Sequence, residues 1–339
     1  MSKKDQAKDY ILQQIEKGEK HYAAKTAETF QIARSTVYNY ISELVRDQII
    51  TKNDDGQYRL LNTVRTFFYS DRIPDEDSIF GKDILPLIKD LPANVVEAWR
   101  YAFTEMMNNA IEHSESKDIF VHFMRNQIIT RISILDAGVG IFKKIQEYMK
   151  CSKDEELTLV ECMSLLFAGK FTTAREYHSG EGIFFTSHLM DRFFIFSDDL
   201  CFSRNNFADD YSNMELPEKG TSVYMELSNK SQKTVTEIFN RYTNPEEGFT
   251  HTSVPIAHMF TGGSPVSRSE ARRLGAMLIR FKEATLDFTG VTSIGQAFTH
   301  ELFVVWQRKN PDIVLNRIGM GKDVENMIKR VLVDANKDA

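Results

Sequence analysis

The segment Val95–Ser114, VVEAWRYAFTEMMNNAIEHS, constrains this chain more than any other. Read at 3.6 residues per turn, it places Trp99, Ala102, Phe103, Met106 and Ala110 on one apolar helix face. Such a face must be covered by a second layer of structure. Another stripe of the same helix carries Glu105, Asn109 and His113 at i, i+4 and i+8. A carboxylate, an amide and an imidazole beside a core are costly to bury without partners. Either the stripe is a polar helix edge, or a cation and a polar ligand satisfy it.

The following segments supply the second layer. Ile119–Asn126 and Ile128–Leu135 alternate apolar and polar residues as a hairpin of two strands does. The second strand runs into Asp136-Ala137-Gly138-Val139-Gly140-Ile141. Glycine at alternate positions lets a backbone pass close to a flat ligand, and Asp136 at the strand end offers an acceptor to an exocyclic amine. Ser179-Gly180-Glu181-Gly182-Ile183 then opens an apolar helix pattern that reaches Met190. A glycine-rich turn leading into a helix N-terminus is a natural phosphate cradle. Lys219-Gly220-Thr221 precedes a further strand, Ser222–Leu227.

Taken together and in this order, these pieces resemble the GHKL ATPase superfamily of gyrase, heat-shock chaperone, histidine kinase and MutL. The ExxxNAxxH box reads EMMNNAIEH (Glu105–His113), the DxGxG box reads DAGVG (Asp136–Gly140), the GxG box reads GEG (Gly180–Gly182), and the late Gly-Thr is Gly220–Thr221. The resemblance covers residues 93–228 and implies an α/β sandwich in which helices cover a mixed sheet. It also implies ATP and Mg²⁺ as ligands. Asn109 would ligate the Mg²⁺ that bridges the phosphates, and Glu105 would orient or activate the attacking water or hydroxyl. Asp136 would accept from the adenine amine, Gly138 and Gly140 would line the base pocket, Gly180 and Gly182 would contact phosphates, and Thr221 would hydrogen-bond near the base. His113 holds the last position of its box. The stretch 141–179 falls where the superfamily has its ATP lid, with a helix at Glu155–Phe167, and Lys170 before Thr172 and Thr173 would reach the γ-phosphate. Cys162 reads as a packing residue of that lid helix.

Ahead of this unit, Ala24–Phe30 and Arg34–Arg46 show helical patterns, the second with Val37, Ile41 and Leu44 on one face. Two short strands, Ile49–Thr51 and Tyr58–Leu60, flank Asn53-Asp54-Asp55-Gly56, whose Asp-Gly is a hairpin signal. Two short helices and a hairpin resemble a winged helix-turn-helix, with Ala27 as the small residue of the first helix and Ser35-Thr36-Val37 opening the second. Gln31 stands where that family has a glycine in the turn. The resemblance implies double-stranded DNA as a partner, with Arg34, Ser35, Thr36, Tyr38 and Asn39 meeting the duplex and Lys52 meeting phosphate from the wing.

At the other end, Ser267-Arg268-Ser269-Glu270 is a capping box that starts a helix. A strand at Thr285–Phe288, a helix at Ile294–Arg308, a strand at Ile313–Asn316 and a helix at Asp323–Leu332 follow. This β-α-β-α-β-α order, with LDFTGVTSIGQAFTHELF at its centre, resembles the STAS domains of anti-sigma-factor antagonists. The resemblance implies a docking surface for a protein partner. At the position of the phosphorylated serine this chain has Gly295-Gln296-Ala297-Phe298, so switching by phosphorylation there is not expected. Thr289, Thr292 and Ser293 nearby read as turn and cap residues.

The expected organisation is thus an α/β multidomain chain: a winged helix over 1–62, a linker over 63–92, a nucleotide-binding unit over 93–230 and a STAS-like unit over 250–335. Length supports it, since 339 residues exceed one ordinary domain. The net charge of −6 excludes a chain coated in nucleic acid along its whole length. Residues 1–62 hold ten basic and nine acidic residues, so DNA affinity per protomer would be modest and a homodimer would help. Three separated cysteines form neither a disulfide framework nor a zinc set. No apolar run nears the roughly 18 residues that cross a bilayer, and no secretory leader is recognisable at the start, so a cytoplasmic protein without a membrane partner is expected. The expected function is an ATP-responsive DNA-binding regulator. A protein kinase of the anti-sigma type using Glu105, and a slow ATPase that gates dimerisation, are the alternatives.

Overall fold

The structure is a computed structural model that describes residues 2–153, 156–169, 181–203, 219–244, 246–260 and 262–337. Its first unit is α1 (Lys3–Glu16), α2 (Tyr22–Phe30), α3 (Arg34–Arg46) and an antiparallel hairpin of β1 (Ile50–Lys52) and β2 (Tyr58–Leu60). The stripe predicted for α3 is the one that folds inward. Val37, Ile41 and Leu44 are buried against Ile11, Leu12 and Ile15 of α1 and Ile50 and Leu60 of the hairpin. The turn after α2 closes on Gln31, whose φ of 49° lies in the left-handed region. A side chain there costs about 1 kcal/mol relative to glycine. Gln31→Gly is therefore expected to raise the melting midpoint of this unit by about 4–8 °C in calorimetry, against an unchanged transition for the rest of the chain.

The stretch 63–92, expected to be a linker, is structured. Thr63–Ser70 forms β3, and Glu76–Ile79 (α4), a π-helical turn at Phe80–Ile84 and Leu85–Ile88 (α5) carry Ile79, Phe80, Ile84 and Ile88 into the main core. Pro86 sits in the first turn of α5, and of the acidic run Asp75 caps α4 while Glu76, Asp77 and Ser78 lie within it.

The central unit continues with α6 (Ala93–His113), β4 (Asp118–Arg125), β5 (Ile129–Asp136), α7 (Ile141–Lys153), α8 (Leu159–Ala168), α9 (Gly182–Leu189), β6 (Arg192–Ser197), β7 (Leu200–Phe202) and β8 (Thr221–Ser228). Six strands make one sheet in the order β3-β4-β5-β8-β6-β7. The sheet was expected to be mixed, but every pairing in it is antiparallel. The reason is topological: β5 and β6 run the same way, yet β8 is inserted between them and opposes both. Alternation sets the inner face, where Ile119, Val121 and Phe123 lie in rows with Ile132 and Ile134, then Val223 and Met225. Trp99, Ala102, Phe103, Met106 and Ala110 of α6 belong to the same core.

The chain ends with α10 (Val235–Tyr242), the short strands β9 (Thr243–Asn244) and β10 (Gly248–Phe249), β11 (His251–Pro255), α11 (Ile256–Met259), α12 (Arg268–Leu278), β12 (Glu283–Asp287), α13 (Gln296–His300), a π-helical turn at Glu301–Trp306, α14 (Gln307–Lys309), β13 (Val314–Ile318) and α15 (Lys322–Lys337). Strands β11, β12 and β13 form a parallel three-stranded sheet in sequence order, which is the expected β-α-β-α-β-α arrangement. The core of this unit is continuous with that of the central one, through Phe249 against Phe184, Phe185 and Phe281. The N-terminal core is separate. Ion pairs tie it on: Asp9 with Lys230 at 2.5 Å, and Glu16 with Arg131 at 2.7 Å, the latter also held by Glu226 at 2.6 Å.

Candidate functional site

The register of the central sheet assembles residues that lie far apart in sequence. Asp136, the last residue of β5, pairs with Thr221, the first of β8. One oxygen of its carboxylate, Oδ1, accepts from the Gly138 N–H at 2.9 Å and from the Thr221 N–H at 3.3 Å. The other, Oδ2, has no hydrogen-bond partner among the described residues. Asp136 is only 8% exposed. Burial pushes its carboxyl up to about 6, and the two backbone N–H bonds pull only partly the other way. Thr221 is buried beside it, and its hydroxyl accepts from the Ile141 N–H at 3.1 Å.

The glycines of this cluster are required by the chain's own packing. A Cβ at Gly138 would overlap the Ser114 carbonyl oxygen, which accepts from the Val139 N–H at 2.9 Å. A Cβ at Gly220, whose φ is +85°, would overlap the Asp136 carbonyl. At Gly140, φ +96°, it would lie 2.8 Å from Ser197 Oγ and Asp198 Oδ2. At Gly138 and Gly140 the space a Cβ would take is occupied by protein atoms, because the end of α6 and the residues at the end of β6 close onto the turn after β5.

A second cluster lies at the start of α9. The Glu105 carboxylate occupies the place a Cβ on Gly182 would take, so α6 and α9 meet with the acid against the helix N-terminus. Tyr101, one turn earlier on α6, is held above its ordinary pKa by burial first, then by the charges of Glu105 and Glu181 and a hydrogen bond with Glu105. Asn109 and His113 are half-buried and lie on α6 between the two clusters. Glu105 meets Gly182 and Ser114 meets Gly138, nine residues apart, so α6 spans about 13 Å from one cluster to the other. Lys170 and Gly180 lie outside the described residues.

Three participants carried no signal in their local sequence. Ser197 and Asp198 reach Gly140 because β6 pairs with β8, and Asp198 binds Lys143 of α7 at 2.7 Å. Ser116 accepts from the Asp118 N–H at 3.2 Å and from the Ala137 N–H at 3.1 Å, bracing the turn. Tyr101 was legible, since it precedes Glu105 by four residues on one helix stripe. Among the described residues, no group of three or more His, Cys, Asp or Glu could hold a metal ion, and no helix is long and apolar enough to cross a membrane.

In the N-terminal unit, Arg34, Ser35, Tyr38 and Asn39 are exposed and Thr36 is half-buried, all away from the buried stripe of α3. Tyr38 is 58% exposed, which is high for a large ring. Lys52 is exposed on the hairpin with its ammonium 5.2 Å from the centre of the Tyr58 ring. Glu43 of α3 is paired with Lys4 and Lys8, whose hydrogen bonds hold its carboxyl down at about 2.

No curated protein matches this chain. Residues 270–325 match the family model of a STAS-like domain of unknown function (DUF4325). That match runs from the first turn of α12 into α15, across β12 and β13, so the C-terminal unit is a STAS-like domain.

Proposed function

We propose that the chain is an ATP-responsive DNA-binding regulator. The observation that carries the nucleotide reading is Asp136: a carboxylate nine-tenths buried, at a strand end, with one oxygen bonded to backbone and the other unpartnered among the described residues. An exocyclic amine of a purine would supply a donor to that oxygen. Glu105 at the N-terminus of α9, about 13 Å along α6, lies at the distance of the phosphate end of an extended nucleoside triphosphate. A helix N-terminus favours an anion there. Asn109, between the two, would contribute one oxygen to a magnesium ion whose other ligands are phosphate and water, the way this ion is ordinarily held. ATP with Mg²⁺, titrated calorimetrically into the whole chain, is expected to bind in the micromolar range at pH 7.5. No heat with millimolar nucleotide would sink this reading.

The DNA reading rests on α3. Its apolar stripe is buried, so Arg34, Ser35, Tyr38 and Asn39 remain for a major groove. Glu43, the acidic residue on α3, is neutralised by two lysines and does not repel phosphate. The double variant Arg34→Ala/Asn39→Ala is expected to lose at least about tenfold in duplex affinity in a gel-shift titration at fixed salt. A wild-type chain that shifts no duplex, with or without ATP, would remove DNA from the function. The STAS-like domain is then the surface on which a protein partner acts.

A further inference from the structure

Away from Asp136 and Glu105, a cavity of about 450 Å³ lies in the seam between α8 and the STAS-like domain. Leu165 of α8, Met259 and Phe260 at the end of α11, and Leu274 and Met277 of α12 give it apolar walls. Its polar lining includes Glu161, Glu270, Arg273 and Arg280. The volume and the mix of an apolar wall with few polar groups are those of a small-molecule site, and methionines let such a wall adapt.

Charge decides what kind of molecule. Three of the four carboxylate oxygens of Glu161 and Glu270 are committed. Glu161 Oε2 accepts from the Thr158 N–H at 2.8 Å and hydroxyl at 3.0 Å in the capping box of α8, and its other oxygen pairs with Arg273. Glu270 Oε2 accepts from the N–H groups of Val266 at 2.9 Å and Ser267 at 2.7 Å, and from the Ser267 hydroxyl at 2.8 Å. Arg273 brings five N–H donors, of which one carboxylate consumes at most two. One oxygen of each acid is spent on a helix cap, while the guanidinium of Arg273 keeps N–H donors beyond those Glu161 takes. A cation entering this cavity would find only Glu270 Oε1, on a carboxylate whose other oxygen already accepts three hydrogen bonds, whereas an anion would find the N–H groups of Arg273 that Glu161 does not use.

We propose that this seam binds a small amphipathic acid, its carboxylate at Arg273 and its hydrocarbon against Leu165, Met259, Phe260, Leu274 and Met277. The ligand would touch α8 and α12 together. The Glu161–Arg273 pair already joins α8 to α12, and the Ser164 hydroxyl, donating to the Met259 carbonyl at 3.0 Å, joins α8 to α11, so occupancy would stiffen an existing contact between the central unit and the STAS-like domain.

The test uses the whole chain and two probes of equal length, decanoate and decanol, each competing with the fluorescent dye anilinonaphthalene sulfonate. Decanoate is expected to displace the dye about tenfold more effectively than decanol. Met277→Trp, which fills the cavity, is expected to weaken decanoate by about tenfold or more. Arg273→Gln is expected to weaken decanoate and leave decanol unchanged. Ala276→Phe serves as a second blocking variant should Met277→Trp fail to fold by circular dichroism. Equal displacement by the two probes, decanoate binding that ignores both blocking variants, or no displacement at millimolar decanoate would each overturn the proposal.

Discussion

Asp136→Asn is expected to lose nucleotide affinity by roughly a hundredfold or more while making the chain more stable at pH 7. The two effects have one cause. The wild-type carboxyl titrates at about 6 in the folded chain against an ordinary 3.8, because burial penalises the charge. The native state thus holds this proton more tightly than the unfolded chain does. The stability so gained is full below the ordinary value and is lost as pH rises through about 6. At pH 7 the ionised carboxylate then costs the fold about 3 kcal/mol. Asparagine removes that cost and keeps an oxygen to accept from Gly138 and Thr221. It places an N–H₂ group where the proposed purine amine would need an acceptor. Melting curves at pH 4 and pH 7.5 check the stability half: the advantage of the variant should be large at the higher pH and absent at the lower. Calorimetry checks the other half, and wild-type affinity should fall as pH drops below about 6. A variant less stable than wild type at pH 7.5 would contradict the burial argument.

Gly138→Ala is expected to destabilise the chain by about 3 kcal/mol or more, and Gly182→Ala by much less. Both substitutions put a methyl group where other atoms already are. At Gly138 those atoms are the Ser114 carbonyl and its own Cβ, and that carbonyl is engaged by the Val139 N–H. Relief requires moving the end of α6 away from the turn after β5. At Gly182 the nearest atoms are the end of the Glu105 side chain, which can rotate away. Gly182→Ala should therefore keep the fold and shift Glu105. Urea denaturation of both variants measures the contrast. Equal losses would mean that the carbonyl of Ser114 is no more fixed than a carboxylate tip.

How far the sequence carried the fold depended on whether a segment has an inward face. The α6 stripe, the β4–β5 hairpin and the helices α12, α13 and α15 were legible because burial imposes a period on them. The strand β3 was not, since Thr63, Val64, Arg65, Thr66 and Phe68 are all exposed on a sheet edge and carry no apolar stripe. The α7 helix was legible in principle through Phe142, Ile145 and Met149, but it lay inside a segment read only as a lid. At the site, the glycine turns were visible as motifs, yet their partners were not. Ser114 meets Gly138 and Ser197 meets Gly140 through helix and sheet packing over dozens of residues, which no local pattern encodes. At the positions a Cβ would take, those glycines give clearance to the chain's own packing.

Where this molecule can be cut follows from how its apolar side chains are grouped. The buried residues from Ile11 to Leu60 close on themselves, and among the described residues Ile128, in the turn between β4 and β5, packs against them. Severing the backbone near Asn62 breaks the ion pairs of Asp9 and Glu16 and leaves both pieces with their interiors intact. Severing it near Thr250 does not, because Phe249 is wedged among Phe184, Phe185 and Phe281, and both fragments would be left with a raw aromatic surface. The N-terminal unit is detachable, while the STAS-like domain is welded to its neighbour.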